Sequence, residues 1–325
     1  MSILSKPYFH DEAAAFEHVE SVLWPEGPVC PFCGGVNSAS KLVGVRSKPS
    51  KANPEGVERF GLYKCKHKEC RKQFTVRKGT IFEESHLPLH KWLQAIYLMC
   101  ASKKGFSAHQ MHRVLEVQYK TAWFLCHRIR LAMADGSLNP FGGNGGDVEV
   151  DETFIGKDPD APKGKRMAPW QERNKVLTLI DRQTRQARSV VIDDLKSSTI
   201  GPIVQANVAY ETRILTDEAP RLRPVGSKFA VHKRVNHAAE EWVSKEDRTI
   251  HTNTVEGYFS VFKRGMKGTY QHCSKKHLHR YLAEFDFRYN NRSANGIEDS
   301  QRLEIALHNV TGKRLTYRDS SWARS

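Results

Sequence analysis

Long apolar runs are absent from this sequence. No stretch comes near the roughly 18 apolar residues that a membrane-spanning helix requires, so no membrane partner is expected to be spanned. The opening segment, MSILSKPYFHDEAAAF, lacks the apolar core of an export signal, which points to the cytoplasm. Acidic residues are scarce: 36 Asp and Glu stand against 51 Lys and Arg, a formal charge of +15. That balance implies a polyanionic partner, either nucleic acid or an anionic membrane surface. Cysteine is sparse too, seven in 325 residues. An odd count with four residues in two close pairs argues against a disulfide framework and for a metal site.

What is present reads as a multidomain chain, and an apolar content of 39% allows real cores. Residues 10–24 have Phe16, Val19 and Leu23 at helical spacing, with Asp11 and Glu12 in the first turn and Pro25 as a stop. Cys30-Pro-Phe-Cys33 and Cys65-Lys-His-Lys-Glu-Cys70 follow, separated by two short alternating stretches. Paired thiolates on two turns suit a structural Zn2+ in a small zinc ribbon, although the second spacing is loose and His67 could replace one cysteine. Residues 1–80 are therefore assigned to a helix plus ribbon. Residues 41–80 carry twelve Lys or Arg against three Glu. Interleaved with Phe60, Tyr63 and Phe74, this charge fits phosphate contact better than a merely solvated face.

Residues 81–135 turn helical, with Leu89, Trp92, Leu93, Ile96, Tyr97 and Cys100 on one face. Two further helices, broken near Val117 and Gln118, resemble a helix-turn-helix with Ser107 as the first cap. The second carries Lys120, Arg128 and Arg130 as DNA-binding candidates, beside Tyr119, Thr121 and His127. A helical hairpin with a basic solvent face gives the same pattern. The stretch 135–146 holds five glycines and a proline, so 136–146 reads as a linker.

From 147 to 293 an α/β catalytic domain with a mixed sheet is expected. In DVEVDETFIG, Val148 and Val150 take one face, and Asp147, Glu149 and Asp151 the other. Apolar strands follow at 176–181 and 187–193, a helix at 196–208, and a strand ending at Asp217. Two carboxylates at strand ends in a basic protein call for a hard cation, Mg2+ or Mn2+. A third ligand comes from Glu256 or Asn253, on the opening turn of a later helix. Lys263, two turns on, faces the same way and can grip a phosphate. Asn253 and Glu256 equally match a helix capping box. His232 and His237 read as surface histidines near DNA. Arg264 and Lys267 extend the basic segment, and Glu284 and Arg288 are spaced to pair on a helix surface. Residues 294–325 are expected to form a tail with one short helix.

Together, WPEGPVCPFCG, the Cys65/Cys70 pair, FTVRKGTIFEESHLPLHKW, VEVDETFIGK, ILTDEAP, HTNTVEGYFSVFKRGMKGTY and YLAEFDFRYNNR resemble the bacterial insertion-sequence transposases of the ISXO-like group, in the DDE superfamily. The resemblance covers nearly the whole chain. It implies a ribonuclease-H-like catalytic domain with Asp151, Asp217 and Glu256 as metal ligands, with Asn253 kept in view because Asn takes that place in related elements. It also implies hydrolysis at terminal inverted repeats, then attack of the freed 3′ hydroxyl on target DNA by a dimer or larger assembly, in a bacterial, nucleoid-associated setting. Two alternatives carry different functions: a DNA-binding regulator with an inactive catalytic domain, and a nuclease that cuts without joining.

Overall fold

Asp11 starts the first helix. Its carboxylate accepts the amide of Ala14 at 2.8 Å, so it is the cap of α1 (Glu12–Leu23) rather than part of its first turn. The three-stranded ribbon that follows comprises β1 (Ala39–Leu42), β2 (Leu62–Cys65) and β3 (Gln73–Phe74), all antiparallel in that order. Trp24 sets its ring edge-on to Tyr63 and Phe74, at 5.4 and 5.9 Å between centroids. Glu20 ties α1 to the ribbon by accepting from Tyr63 Oη at 2.8 Å and Lys41 Nζ at 3.0 Å. A metal module buries little apolar surface, so these contacts supply much of what the ribbon rests on.

Three helices follow: α2 (Leu89–Ala101), α3 (Ala108–Leu115) and α4 (Tyr119–Met133). Pro88, at the cap of α2, has no side chain to offer its orphan amides. Glu12 does this instead, accepting from the amides of Leu89 and His90 at 2.8 and 3.1 Å. The turn between α3 and α4 falls where the sequence broke, and Glu116 takes a left-handed φ of 53° to make it.

The computed structural model describes residues 2–51, 53–134, 136, 139–161 and 171–316. Residues 137 and 138 of the expected linker and the end of the expected tail (317–325) lie outside the described residues. The chain forms two units: Met1–Ser102 with Ala108–Met133 and Glu298–Ser325, and Lys103–Ser107 with Ala134–Ile297.

The second unit is built on a five-stranded sheet of β4 (Asp147–Ile155), β5 (Asn174–Asp181), β6 (Gln186–Ile192), β7 (Arg213–Thr216) and β8 (Val231–Arg234). Their order is β6-β5-β4-β7-β8; the first two pairings are antiparallel and the last two parallel, so the sheet is mixed. Crossover helix α5 (Ser197–Asn207) and the short α6 (Arg223–Gly226) carry the chain between strands. Helices α7 (Asn253–Gly265) and α8 (Lys275–Asn290) close the unit. Period-two alternation sorts the two cores. Val148, Val150, Leu177 and Leu179 pack with Ile200 and Val204 of α5. Ile155, Val176 and Ile180 pack with Phe259 and Phe262 of α7 and Leu282 and Phe285 of α8. Each such side chain, fully buried, contributes about 1.5–3 kcal/mol, which makes the sheet a stiff base for whatever its edges carry.

Two boundaries differ from the expected ones. The glycine-rich stretch is not a free linker from Asn139 onward: Phe141 is buried in the sheet's core, and Gly142 donates its amide to Asp181 at 2.9 Å. A Cβ on Gly142, at φ +73°, would come within 2.2 Å of Thr212 Oγ1, so only glycine fits there. The expected tail is not a tail either. Its helix α9 (Asp299–His308) buries Leu303, Ala306 and Leu307 in the first unit, and the amide of Ile81 bonds Val310 beyond it at 3.2 Å. An apolar face shared with α2 draws the end of the chain back.

Candidate functional site

Four cysteines from two turns meet in the ribbon. Their sulfur atoms all lie within 4.8 Å of one another, with Cys30–Cys70 and Cys33–Cys65 each at 3.7 Å. A tetrahedral zinc ion with bonds of about 2.3 Å sets sulfurs about 3.8 Å apart, so the set fits Zn2+. Burial opposes ionisation of Cys30, but the amides of Phe32 and Cys33 and the adjoining thiols outweigh it and bring its pKa to about 7. His67 stays outside the set, its Nδ1 3.5 Å from Cys33 Sγ.

The acidic residues are brought together by strand register. β4 and β7 pair in parallel with Asp147 opposite Arg213 and Glu149 opposite Leu215. Asp151 lies two residues beyond the last of these pairs on β4, Asp217 two residues beyond it just past the end of β7, and the charge of Asp217 acts on Asp151. Neighbouring strands are about 4.8 Å apart, and residues at one level share a face. Asp217 accepts the amide of Ala219 at 3.0 Å, which turns the chain away from the strand.

Helix α7 brings the third carboxylate. Thr252, not Asn253, is its cap position, and Asn253 is the first helical residue, exposed to solvent. The amide of Asn253 points to His251 Nδ1 at 3.3 Å, and the Glu256 carboxylate accepts from Thr252 Oγ1 at 3.3 Å, so the capping-box reading is not what forms. The Glu256 carboxylate instead acts through its charge on Asp151. The cap comes from elsewhere: Glu149, fully buried on β4, accepts the amide of Val255 at 2.8 Å. It is held by Arg182 Nε at 2.6 Å, and Arg182 also reaches the carbonyl of His251 at 2.7 Å.

Electrostatics report the convergence. Burial raises the pKa of Asp151 well above the carboxylate range, and the charges of Asp217 and Glu256 raise it further, against Lys263 and Arg221. Asp217 is raised too, mainly by burial, with Glu218 adding and the Ala219 amide and His237 opposing. Lys263 is lowered by burial and by Lys267 and Arg173, against the pull of Asp151. Three oxygen donors whose negative charge is under-compensated suit a hard divalent cation. Among the described residues only the cysteine set gathers three ligand atoms within 4.8 Å of one another, so the carboxylates stand wider than a single compact cage.

Of the basic candidates, Lys120, Arg264 and Lys267 are exposed. Arg128 and Arg130 are not surface residues, at 5% and 2% exposure. Arg128 donates to the Glu83 carbonyl at 2.6 Å and lies 5.3 Å from the Trp92 ring centre, because the second half of α4 is packed inward. His127 is buried as well. The Glu284–Arg288 pair is likewise buried rather than on a surface, with Tyr270 Oη also on Glu284. Two residues gain a role that spacing did not signal. His237 Nε2 lies 3.5 Å from Glu256 and 3.2 Å from Thr252 Oγ1. Glu149 was visible only as one polar point in an alternating strand.

Comparison with known families agrees with this layout. Residues 144–290 match the model of the ISXO2-like transposase domain, and residues 10–73 that of the transposase zinc-ribbon domain. The chain is thus similar to ISXO2-like transposase domains over the longer of these stretches and to transposase zinc ribbons near its start. The first match contains Asp151, Asp217, Glu256 and Lys263, and the second all four ribbon cysteines. A relative from Halobacterium salinarum (strain ATCC 700922 / JCM 11081 / NRC-1), described as an uncharacterized protein in transposable element ISH50, is 25% identical over 297 residues, covering 86% of this chain and 91% of the relative. No helix among the described residues is long and apolar enough to cross a membrane.

Proposed function

We propose that the chain is an insertion-sequence transposase that binds the terminal inverted repeats of its element and cuts and joins DNA at Asp151, Asp217 and Glu256. The observation carrying this reading is that Asp217, just past the end of β7, and Glu256, on α7, are both charge-coupled to Asp151 on the parallel neighbour β4. The strand order and the antiparallel second strand support a ribonuclease-H-like domain. The three carboxylates would hold Mg2+ or Mn2+, which supplies activation of the attacking oxygen and stabilisation of the leaving one in an in-line displacement. Lys263, on the face of α7 shared with Glu256, holds a DNA phosphate. His237 orients Glu256. Asn253, exposed and one turn away from the coupled set, is not a ligand in this reading.

α3 and α4 serve as a helix-turn-helix that presents Tyr119, Lys120 and Thr121, the residues at the start of the second helix, to a groove of DNA. Two transposon ends must be held at once, which calls for a dimer or larger assembly on DNA.

The test supplies a labelled terminal repeat, a target plasmid and Mg2+. Joined product is expected from the wild-type chain and from Asn253→Ala, with a loss of at least about 100-fold for Asp151→Asn, Asp217→Asn and Glu256→Gln. Full joining by Asp151→Asn would refute the assignment, and cutting without joining would point to a nuclease.

A further inference from the structure

The second unit has a groove of roughly 400 Å³ with Lys263 in its lining. Its floor is apolar, with Phe154 at the end of β4, Met266 after α7 and Leu278 on α8. Its rim is cationic, with Arg173, Lys263 and Lys267. None of these three cations has a salt bridge among the described residues, and Lys267 and Arg173 both lie close enough to act on Lys263. Like charges gathered with only Asp151 acting on one of them cost free energy, and an anion bound there would recover it. α7 opens at this point into a π-helical turn, Met266–Tyr270, which re-aims Lys267 and ends at Gln271 with φ 58°. The volume suits one nucleotide and is too small for a duplex.

We infer that this groove takes a single unstacked nucleotide of the DNA strand, its base on the Phe154–Met266 floor and its phosphates between Arg173, Lys263 and Lys267. The inference rests on the transposase reading and adds to it. Lys263 lines the groove and also feels Asp151, so a strand lying in the groove continues toward the carboxylates. Separating the last base from its partner lets the sugar-phosphate chain bend across the sheet edge. An apolar floor tolerates any base, because each has a π face, so the groove recognises an unpaired state and not a sequence.

The test measures binding of the full-length chain by fluorescence anisotropy, without added Mg2+ or chelator. The probes are a blunt 20-base-pair duplex, the same duplex with three unpaired thymidines at one end, and a third with abasic sites in their place. The unpaired thymidines are expected to tighten binding about tenfold, since one stacked base is worth roughly 1–3 kcal/mol. The abasic probe should lose most of that gain. Arg173→Ala and Phe154→Leu should remove it while binding the blunt duplex within about threefold of wild type; Arg173 is exposed, so its replacement leaves the fold intact. Equal binding of blunt and unpaired probes, or a gain retained in both variants, overturns the groove assignment alone. A folded chain that binds neither duplex overturns the transposase reading as well.

Discussion

The Glu149 carboxylate on β4 accepts the backbone amide of Val255 in the first turn of α7 at 2.8 Å. One strand therefore carries both Asp151 and, two residues earlier, the group that fixes where the helix bearing Glu256 begins. A buried carboxylate at a helix N-terminus is favoured by the helix dipole, and Arg182 pairs with it and orients it. Without it the Val255 amide would lose its partner, because Thr252 makes no side-chain cap bond.

Glu149→Gln should thus act on stability and chemistry together. Loss of the charge is expected to cost about 1–3 kcal/mol in urea unfolding. A shift of α7 against β4 is expected to lower DNA joining by roughly 100-fold, the scale of a 1 Å misplacement. A variant that unfolds more easily yet joins DNA at the wild-type rate would show that the cap is structural only.

Lys120 and Arg128 lie on one helix and should behave oppositely. Lys120 is exposed, so Lys120→Ala should leave the melting curve unchanged, weaken duplex binding and reduce the salt slope by about one. Arg128 is buried against Trp92 and Phe124, so Arg128→Ala should lower stability by roughly 2–4 kcal/mol. Thermal melts and salt titrations of both variants check this, and a stable Arg128→Ala protein would contradict the packing.

Removing zinc should unfold the ribbon and leave the sheet unit intact, because the metal supplies folding energy that the small Tyr63–Phe74–Trp24 cluster cannot. Cys65→Ser is expected to abolish stoichiometric zinc measured by mass spectrometry of the native protein. Far-ultraviolet dichroism should lose little, since most helix and sheet lie elsewhere. Full zinc content in Cys65→Ser would point to His67 as a substitute ligand.

Asp286 gives a pH dependence. It is half-buried on α8, where it accepts from Tyr258 Oη at 2.5 Å and from Ser189 Oγ and N, each at 2.8 Å. Burial raises its pKa from 3.8 to about 6, against those hydrogen bonds. The folded state thus binds this proton more tightly than the unfolded one, so the contribution is fully present below pH 3.8 and lost as pH rises through 6. Between those limits wild type should lose roughly 3 kcal/mol relative to Asp286→Asn, measured by urea unfolding at several pH values. Parallel curves for the two proteins would refute the assignment.

The sequence alone determined what local chemistry dictates. Two cysteine pairs on turns, the alternation of Val148 and Val150 against Glu149 and Asp151, and the break before Tyr119 each follow from spacing within a few residues. Tertiary structure decided what depends on distant partners. Asn253 and Glu256 satisfy a capping box on paper, and only the arrival of Glu149 from more than a hundred residues away leaves Glu256 to act through its charge on Asp151. Arg128 and Arg130 look like a DNA-reading face until Glu83 and Trp92 cover the half of α4 that holds Arg128. The last helix looks like a tail until its apolar face meets α2. Periodicity is a property of neighbours along the chain, whereas burial and charge coupling belong to neighbours in space, and the site is assembled from the second kind.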